Sequence, residues 1–366
     1  MSKLLQLQLH HFRNIEQASL SLGAGLNLIV GDNAAGKTSL IEAIWVLSTG
    51  RSFRTAKPQH LIRHQQPALT LFAKVEQAAV THAIGLTRTL EKASLKADGM
   101  PVQTQAEMAE KLPVQLLTPE SHRLLEEGPK ARRQYLDWGC FHQTPEFIGL
   151  WRQYQRALKQ RNHALKSKLP KSQAQLWDRQ LIDAAEKIDC IRQAYVEALS
   201  PYLIQFCQAL MPEIETPPEC RFRTGWPQTA NSFAELLTQN YPKDAQQGHT
   251  QYGCHRADIK FRFDGQEAML KLSRGQQKLF VCALLLAQAS LYEKTCGESV
   301  IMLIDDLPAE LDANHRETLL KLLQALNIQH ILTSTDESLI PKVSPASAKV
   351  WRLVHGQLVA QPQQAD

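Results

Sequence analysis

The sequence predicts an α/β fold: a mixed sheet with helices, an antiparallel β meander, and an inserted, mostly helical arm. Three observations carry this. An apolar run, Leu26 to Val30, meets a glycine-bounded loop and then a helix-like segment reaching about Leu47. A second apolar run, Ser299 to Ile304, ends in two carboxylates, Asp305 and Asp306. Between them, residues 121 to 211 have almost no strand pattern and are rich in the helix formers Leu, Ala, Gln, Lys, Arg and Glu.

The first loop, Gly31-Asp32-Asn33-Ala34-Ala35-Gly36-Lys37-Thr38-Ser39, fits the phosphate-binding pattern G-x-x-x-x-G-K-[ST]. Gly31 and Gly36 let the backbone turn tightly and approach an anion. Backbone N–H groups then converge on phosphates at the positive end of the following helix. Lys37 supplies a mobile cation for the β- and γ-phosphates, and Thr38 Oγ1 is a hard-oxygen ligand for Mg²⁺. The competing reading, a chance Gly-rich turn, is disfavoured by the strand before it and the helix after it. The Asp305–Asp306 pair sits where a buried parallel strand delivers ligands, at its C-terminal end. Asp305 is expected to orient Mg²⁺ and Asp306 to act as general base on the attacking water. A pair that merely caps a turn is the alternative, and the phosphate loop weighs against it.

The 366 residues suggest about two domains. An apolar fraction of 43% and a charged fraction of 21% are those of a globular protein. No run approaches the ~18 apolar residues of a membrane span. Leu residues near the N-terminus are interrupted by Gln, unlike a secretory leader. The seven Cys are scattered and odd in number, which predicts a reducing cytoplasm and neither disulfides nor a zinc site.

In chain order, residues 5–9 and 18–22 alternate as half-buried strands. Residues 51–74 contain no acid but hold Arg51, Arg54, Lys57, Arg63 and Lys74. This stretch is either a solvated loop beside the nucleotide or a phosphate-contacting surface, for nucleic acid or ATP. Residues 69–80, 81–89 and 93–97 read as a meander, 104–111 as a helix, and 113–120 as strand then turn. The helical arm is expected over 121–245, with 1–120 and 246–366 forming the head. Pro170 and Pro201 are expected to break long helices. Residues 151–180 carry Arg152, Arg156, Lys159 and Arg161 among eight cations, against the single acid Asp178. That is a solvated helix face or a surface for nucleic acid or an acidic partner. Beyond a Pro-rich connection at 212–218, residues 220–222 read as a strand, 228–239 as a helix, 256–263 as a strand with a hairpin turn at Asp264-Gly265, and 361–366 as a polar tail.

Leu272-Ser273-Arg274-Gly275-Gln276-Gln277 precedes an apolar helix, with Ser273 a good N-cap. It resembles the ABC signature motif LSGGQ, whose helix start caps the γ-phosphate held by a second subunit. Glu310-Leu311-Asp312 then corresponds to the D-loop. Residues 331–336 occupy the switch position, with Thr or Ser in place of the frequent His. Gln115 is a Q-loop candidate for Mg²⁺ and water.

The order of these parts resembles an SMC-type ATPase head, and more narrowly the RecF family of bacterial recombination mediators. Besides the phosphate loop, signature and Asp305 to Asp312, the resemblance rests on Phe12-Arg13-Asn14, Gly50-Arg51-Ser52-Phe53-Arg54, Leu117-Thr118-Pro119-Glu120, Gly128 to Arg133 with Leu136-Asp137, and Gly253-Cys254-His255-Arg256-Ala257-Asp258. It adds Arg13 to the ATP-binding residues. The family commonly has Pro at position 254, a second Asp at 257 and often Gly at 35. The resemblance implies slow, DNA-stimulated ATP hydrolysis with Mg²⁺, coupled to homodimerisation on gapped, double- or single-stranded DNA. It further implies RecO and RecR as partners in loading RecA, support of replication restart and SOS induction, a cytoplasmic, nucleoid-associated location and no membrane. Two other classes share parts of the pattern: the ATPase subunit of an ABC transporter, and a solitary P-loop kinase. The long basic insert argues against the first and the signature against the second.

Overall fold

Leu4, Leu7 and Leu9 turn inward from β1 (Lys3–Phe12), the burial that their alternation predicts. The computed structural model describes residues 2–228, 232–341 and 348–359. β1 pairs antiparallel with β2 (Ile15–Ser21). Next come β3 (Leu26–Val30), α1 (Lys37–Thr49), β4 (Ala68–Gln77), β5 (Val80–Thr89), β6 (Ala93–Ala97) and β7 (Met100–Val102). The meander expected over 69–97 is present as β4, β5 and β6, and β7, a strand beyond it, completes a six-stranded sheet in the order β2-β1-β4-β5-β6-β7. α2 (Gln105–Lys111) starts on a capping box between Thr104 and Glu107. β8 (Val114–Leu117) follows.

The chain divides into two compact units, one of residues 1–122, 209–212 and 274–366, the other of 123–208 and 213–273. The second unit opens with α3 (Arg123–Glu126), α4 (Pro129–Gln143), α5 (Phe147–Lys166) and α6 (Lys171–Gln175). The helix after them, α7 (Asp178–Leu210), is 33 residues long and runs straight through Pro201. The expected break there is absent. Pro201 cannot donate to the preceding turn, yet buried Leu199 and Leu203 hold the segment in place, and Ser200 Oγ donates to the Val196 carbonyl. Pro170 does separate two helices.

β9 (Glu219–Arg223) is followed by α8 (Phe233–Gln247). This helix is displaced from the expected 228–239, whose residues 229–231 lie outside the described residues. Ser232 caps it through Glu235 N–H, and Gly248, left-handed at φ 71°, ends it. β10 (Asp258–Phe263), β11 (Gln266–Glu267) and α9 (Ala268–Lys271) complete the unit. Residues 246–273 were expected with the head; they cluster with the helical unit, because β10 takes β9 as its antiparallel partner, Ile259 opposite Phe222.

The first unit resumes with α10 (Arg274–Cys296), β12 (Ile301–Ile304), α11 (Leu307–Glu310), α12 (Ala313–Ala325) and β13 (Gln329–Ser334). β14 (Lys349–Val354) and β15 (Gln357–Val359) follow, two strands that the sequence reading did not assign; the polar tail at 361–366 lies outside the described residues. α10 is long and apolar enough to cross a membrane by length and composition, but 72% of its apolar window is buried, as in a core helix. The second sheet runs β15-β14-β3-β13-β12-β8. β14, β3, β13, β12 and β8 are mutually parallel, so their C-terminal ends lie along one edge. That edge is where such sheets take ligands. α1 is buried nearly all round: Leu40, Ile41, Ile44 and Leu47 share one core with Leu7 of β1 and Leu303 of β12, and so with both sheets.

Candidate nucleotide-binding site

Residues 31–36 must carry the chain from the end of β3 into α1. Gly36 does this at φ 111°, a conformation open to glycine, and forms the N-cap of α1. Gly31 is required for space instead: a Cβ there would stand 2.3 Å from the Leu353 carbonyl oxygen of β14. Ala35 is buried, and its carbonyl accepts from Gly356 N–H at 2.9 Å. The β14–β15 hairpin is therefore the back wall of the loop. Lys37 Nζ donates to the carbonyls of Gly31 (2.7 Å) and Asp32 (2.9 Å). Burial lowers the Lys37 pKa, opposed by the charges of Asp306, Asp305 and Asp32.

The parallel register brings the second motif to the first. Thr38 Oγ1 donates to Asp305 Oδ1 at 3.1 Å, and Thr333 Oγ1, from β13, donates to the same oxygen at 2.8 Å. Thr333 Oγ1 also accepts from Asp306 N–H at 2.8 Å. Burial raises the Asp305 pKa, while the bonds from Thr333 and Thr38 lower it. Asp306 is left-handed at φ 53° and caps α11. A cleft of about 860 Å³ is lined by Asn33, Ala34, Gly36, Lys37, Thr38 and Ser39 together with Asp305, Asp306, Thr333 and Thr335.

The basic stretch after α1 forms a strap beside this cleft. Glu42 is fully buried on α1 and accepts from Arg13 Nε at 2.9 Å and from Ser52 Oγ, with Arg54 3.5 Å away. Arg13 Nη1 also donates to the His60 carbonyl at 2.9 Å. Arg13, Arg54, His60, Arg63 and His64 all line the cleft. Arg54 and Arg63 of that stretch line the cleft, while Arg51 is exposed and does not.

Two candidates are corrected. Gln115 does not reach the cleft: it is buried in β8, level with Met302, and its Nε2 donates to Gln288 Oε1 at 3.1 Å. The residue of β8 that meets Asp305 is Leu117, two residues further on, whose carbonyl accepts from Asp305 N–H at 2.8 Å. Arg161 cannot be a DNA contact, because it is fully buried: it donates to Asp178 (2.8 Å), Asp244 (2.8 Å) and Thr250 (2.7 Å). The lone acid of the basic run is consumed by that pair. Arg152, Arg156 and Lys159 are exposed on α5. Of the signature, Ser273 precedes α10, Arg274 begins it, and Gly275 is exposed with no atom of the described residues within 4 Å of its would-be Cβ. Asp312 caps α12, accepting from His315 N–H at 3.0 Å.

The bridging role of Thr333, the anchor Glu42 and the contact of Asn14 Oδ1 with Ser39 Oγ (3.0 Å) were not read from the sequence. One signal was available: a Glu inside the apolar run Leu40 to Ile44 implies a buried cationic partner.

A family model described as "RecF/RecN/SMC N terminal domain" matches residues 3–354. Over 361 residues the chain is 69% identical to the DNA replication and repair protein RecF of Hydrogenovibrio crunogenus, covering 99% of this chain and 100% of that one. The chain belongs to the RecF family. RecF of Shewanella oneidensis is 41% identical over 357 residues, 97% of this chain and 98% of that one. Among solved structures, the recombination mediator protein RecF-ATPrS in the RecFOR pathway aligns with a TM-score of 0.86 at 25% identity, over 98% of this chain and 97% of that one. The Smc head domain of Pyrococcus furiosus aligns at a TM-score of 0.59 and 15% identity, over 98% and 96% of the two chains, which extends the likeness of fold to SMC heads. The transporter-subunit alternative is not favoured by these matches to RecF.

Proposed function

We propose that this RecF-family chain is a slow, DNA-stimulated ATPase of recombinational repair, in which ATP closes a homodimer on DNA. The observation that carries the reading is the meeting of Thr38 Oγ1 and Asp305 Oδ1, 3.1 Å apart, in the cleft that Lys37 also lines. A hydroxyl and a carboxylate are hard-oxygen donors suited to Mg²⁺, which takes few protein groups and completes its shell with phosphate and water. Asp305 is a buried carboxyl with a raised pKa, so a cation beside it offsets the cost of its burial. When bound, Mg²⁺ neutralises charge developing on the phosphate oxygens.

This chain's own residues do the rest. Residues 31–36 and the start of α1 present backbone N–H groups to the phosphates, and Lys37 Nζ adds its charge. Thr333 fixes the Asp305 carboxylate and the Asp306 backbone together. Asp306, beside them at the cleft, takes the proton of the attacking water. Arg13, held by Glu42, stands at the phosphate side. The remaining cap on the γ-phosphate comes from Ser273, Arg274, Gly275 and Gln276 of a second copy, with Asp312 at that interface. Exposed Arg51, Arg152, Arg156 and Lys159 are the candidates for DNA phosphates. With RecO and RecR, the ATP-bound dimer helps load RecA on gapped DNA, in the cytoplasm; the RecFOR pathway named for the aligned RecF structure supports the partnership with RecO and RecR. Lys37→Met is expected to abolish phosphate release from ATP. A variant turning over at the wild-type rate would remove the basis of the reading.

A further inference from the structure

The loop Gly253 to Asp258 has no place in the nucleotide cleft. In the second unit it is bound from every side. Asp258 pairs with Arg132 through two bonds, 2.9 and 3.0 Å. The Cys254 carbonyl accepts from Arg192 at 2.8 Å, and the Ala257 carbonyl from Arg133 at 2.7 Å. His255 Nδ1 lies 2.7 Å from the Tyr154 hydroxyl. What this loop builds is a wall. Gly253 N–H donates to the Gly225 carbonyl at 3.1 Å, and the two backbones are so close that a Cβ on Gly225 would stand 1.8 Å from the Gly253 oxygen.

These two joined loops enclose a second pocket, of about 690 Å³, remote in sequence from the phosphate loop. Its lining includes Arg223, Arg256, Trp226 and Tyr252, and among the described residues no acid. The two arginines are exposed; neighbouring Arg221 is paired with Glu219 at 2.8 Å, whereas Arg223 and Arg256 have no ion pair among the described residues. Trp226 is prepositioned: its ring stacks on Phe233 with centroids 4.4 Å apart, and its N–H and carbonyl both bond Thr224 Oγ1. Two unpaired guanidiniums, an indole and a phenol lining one pocket match a phosphate joined to a planar base. A protein acid would use only the guanidiniums and leave the rings idle.

We propose that this pocket is a nucleotide-binding site for single-stranded DNA, with Arg223 and Arg256 taking phosphate and Trp226 and Tyr252 offering faces to a base. Such a site works by stacking and charge, so it tolerates sequence and weakens with salt. It is independent of ATP.

The test uses the full chain without ATP and a labelled oligothymidylate carrying iodouracil. Irradiation is expected to crosslink the base to Trp226 or Tyr252. Arg223→Ala/Arg256→Ala is expected to bind the strand about tenfold more weakly, with the salt slope reduced by about 1.4, while melting as the wild type does. Lys37→Met is expected to bind it normally, so failure of the P-loop reading leaves this result intact. Excess free thymidine monophosphate distinguishes a mononucleotide site, where it displaces the strand, from one that needs the strand. Wild-type affinity in the double variant, or crosslinks only outside residues 222–256, would overturn the proposal, as would binding of labelled polyglutamate by a chain that does not bind the oligonucleotide.

Discussion

Thr333 serves two neighbours with one hydroxyl, giving its proton to Asp305 and accepting from Asp306 N–H. Thr333→Val keeps the shape and removes both bonds. A hydrogen bond to a charged group contributes about 1.5–3 kcal/mol, so kcat for ATP is expected to fall on the order of ten- to hundredfold with KM little changed. A rise in KM at constant kcat would show that Thr333 does not position the carboxylates. His255 makes a separate prediction. Burial first, then nearby Arg256, Arg133 and His249, lower its pKa from 6.5 to about 4. The unfolded chain therefore takes up the proton first as pH falls. Stability is fully present above pH 6.5 and is lost as pH falls toward 4, by about 2–3 kcal/mol for this group. Urea melts at pH 7.5 and 5 test it: His255→Gln is expected to be less stable at neutral pH but to lose less on acidification. Equal losses in both proteins would exclude His255 as the source. Charge patterns alone do not separate such buried groups from surface ones, which is why Arg161 reads as a DNA contact in the sequence and is a core ion pair in the fold.

At the scale of elements, what was legible was local. Period-two alternation marks β1 and β2, and an apolar run marks β12, because burial on one or both faces leaves its trace on adjacent residues. Pairing between distant segments leaves no such mark. β14 joins β3 in parallel across more than 300 residues of chain, Trp351 level with Ile29, and nothing near Lys349 announces that it backs the phosphate loop. Gln115 went astray for the same reason, since only the register of β8 against β12 shows how far it stops short of Asp305. The hairpin's role gives a sharp expectation. Gly31→Ala puts a methyl 2.3 Å from the Leu353 carbonyl, a backbone atom that cannot swing away. Overpacking of this kind costs about 1–3 kcal/mol, and here the loop or β14 must shift to relieve it. Fluorescent ATP-analogue binding is expected to weaken at least about tenfold, with a lowered melting temperature. Unaltered binding and melting would mean that the loop is not braced by β14.

At the scale of the whole molecule, the P-loop, Asp305–Asp306 and Thr333 come from distant parts of the chain and meet because β3, β12 and β13 end on one edge. The signature is different in kind: Gly275 is exposed, with nothing among the described residues within 4 Å of its would-be Cβ. A two-fold dimer would supply each cleft with the other copy's signature and so create two equivalent composite sites. Sedimentation with ATP is expected to show dimers for the wild type, and few for Ser273→Arg. Complementation is the stricter test. Lys37→Met has a spoiled cleft and a sound signature, and Ser273→Arg the reverse. Each alone is expected to be inactive. Mixed in equal amounts, about half the dimers are hybrids, and each hybrid holds one site made of two sound halves, so activity is expected to return to at most about a quarter of the wild-type level. Were cleft and signature partners within one chain, no mixture of the two variants would recover any turnover.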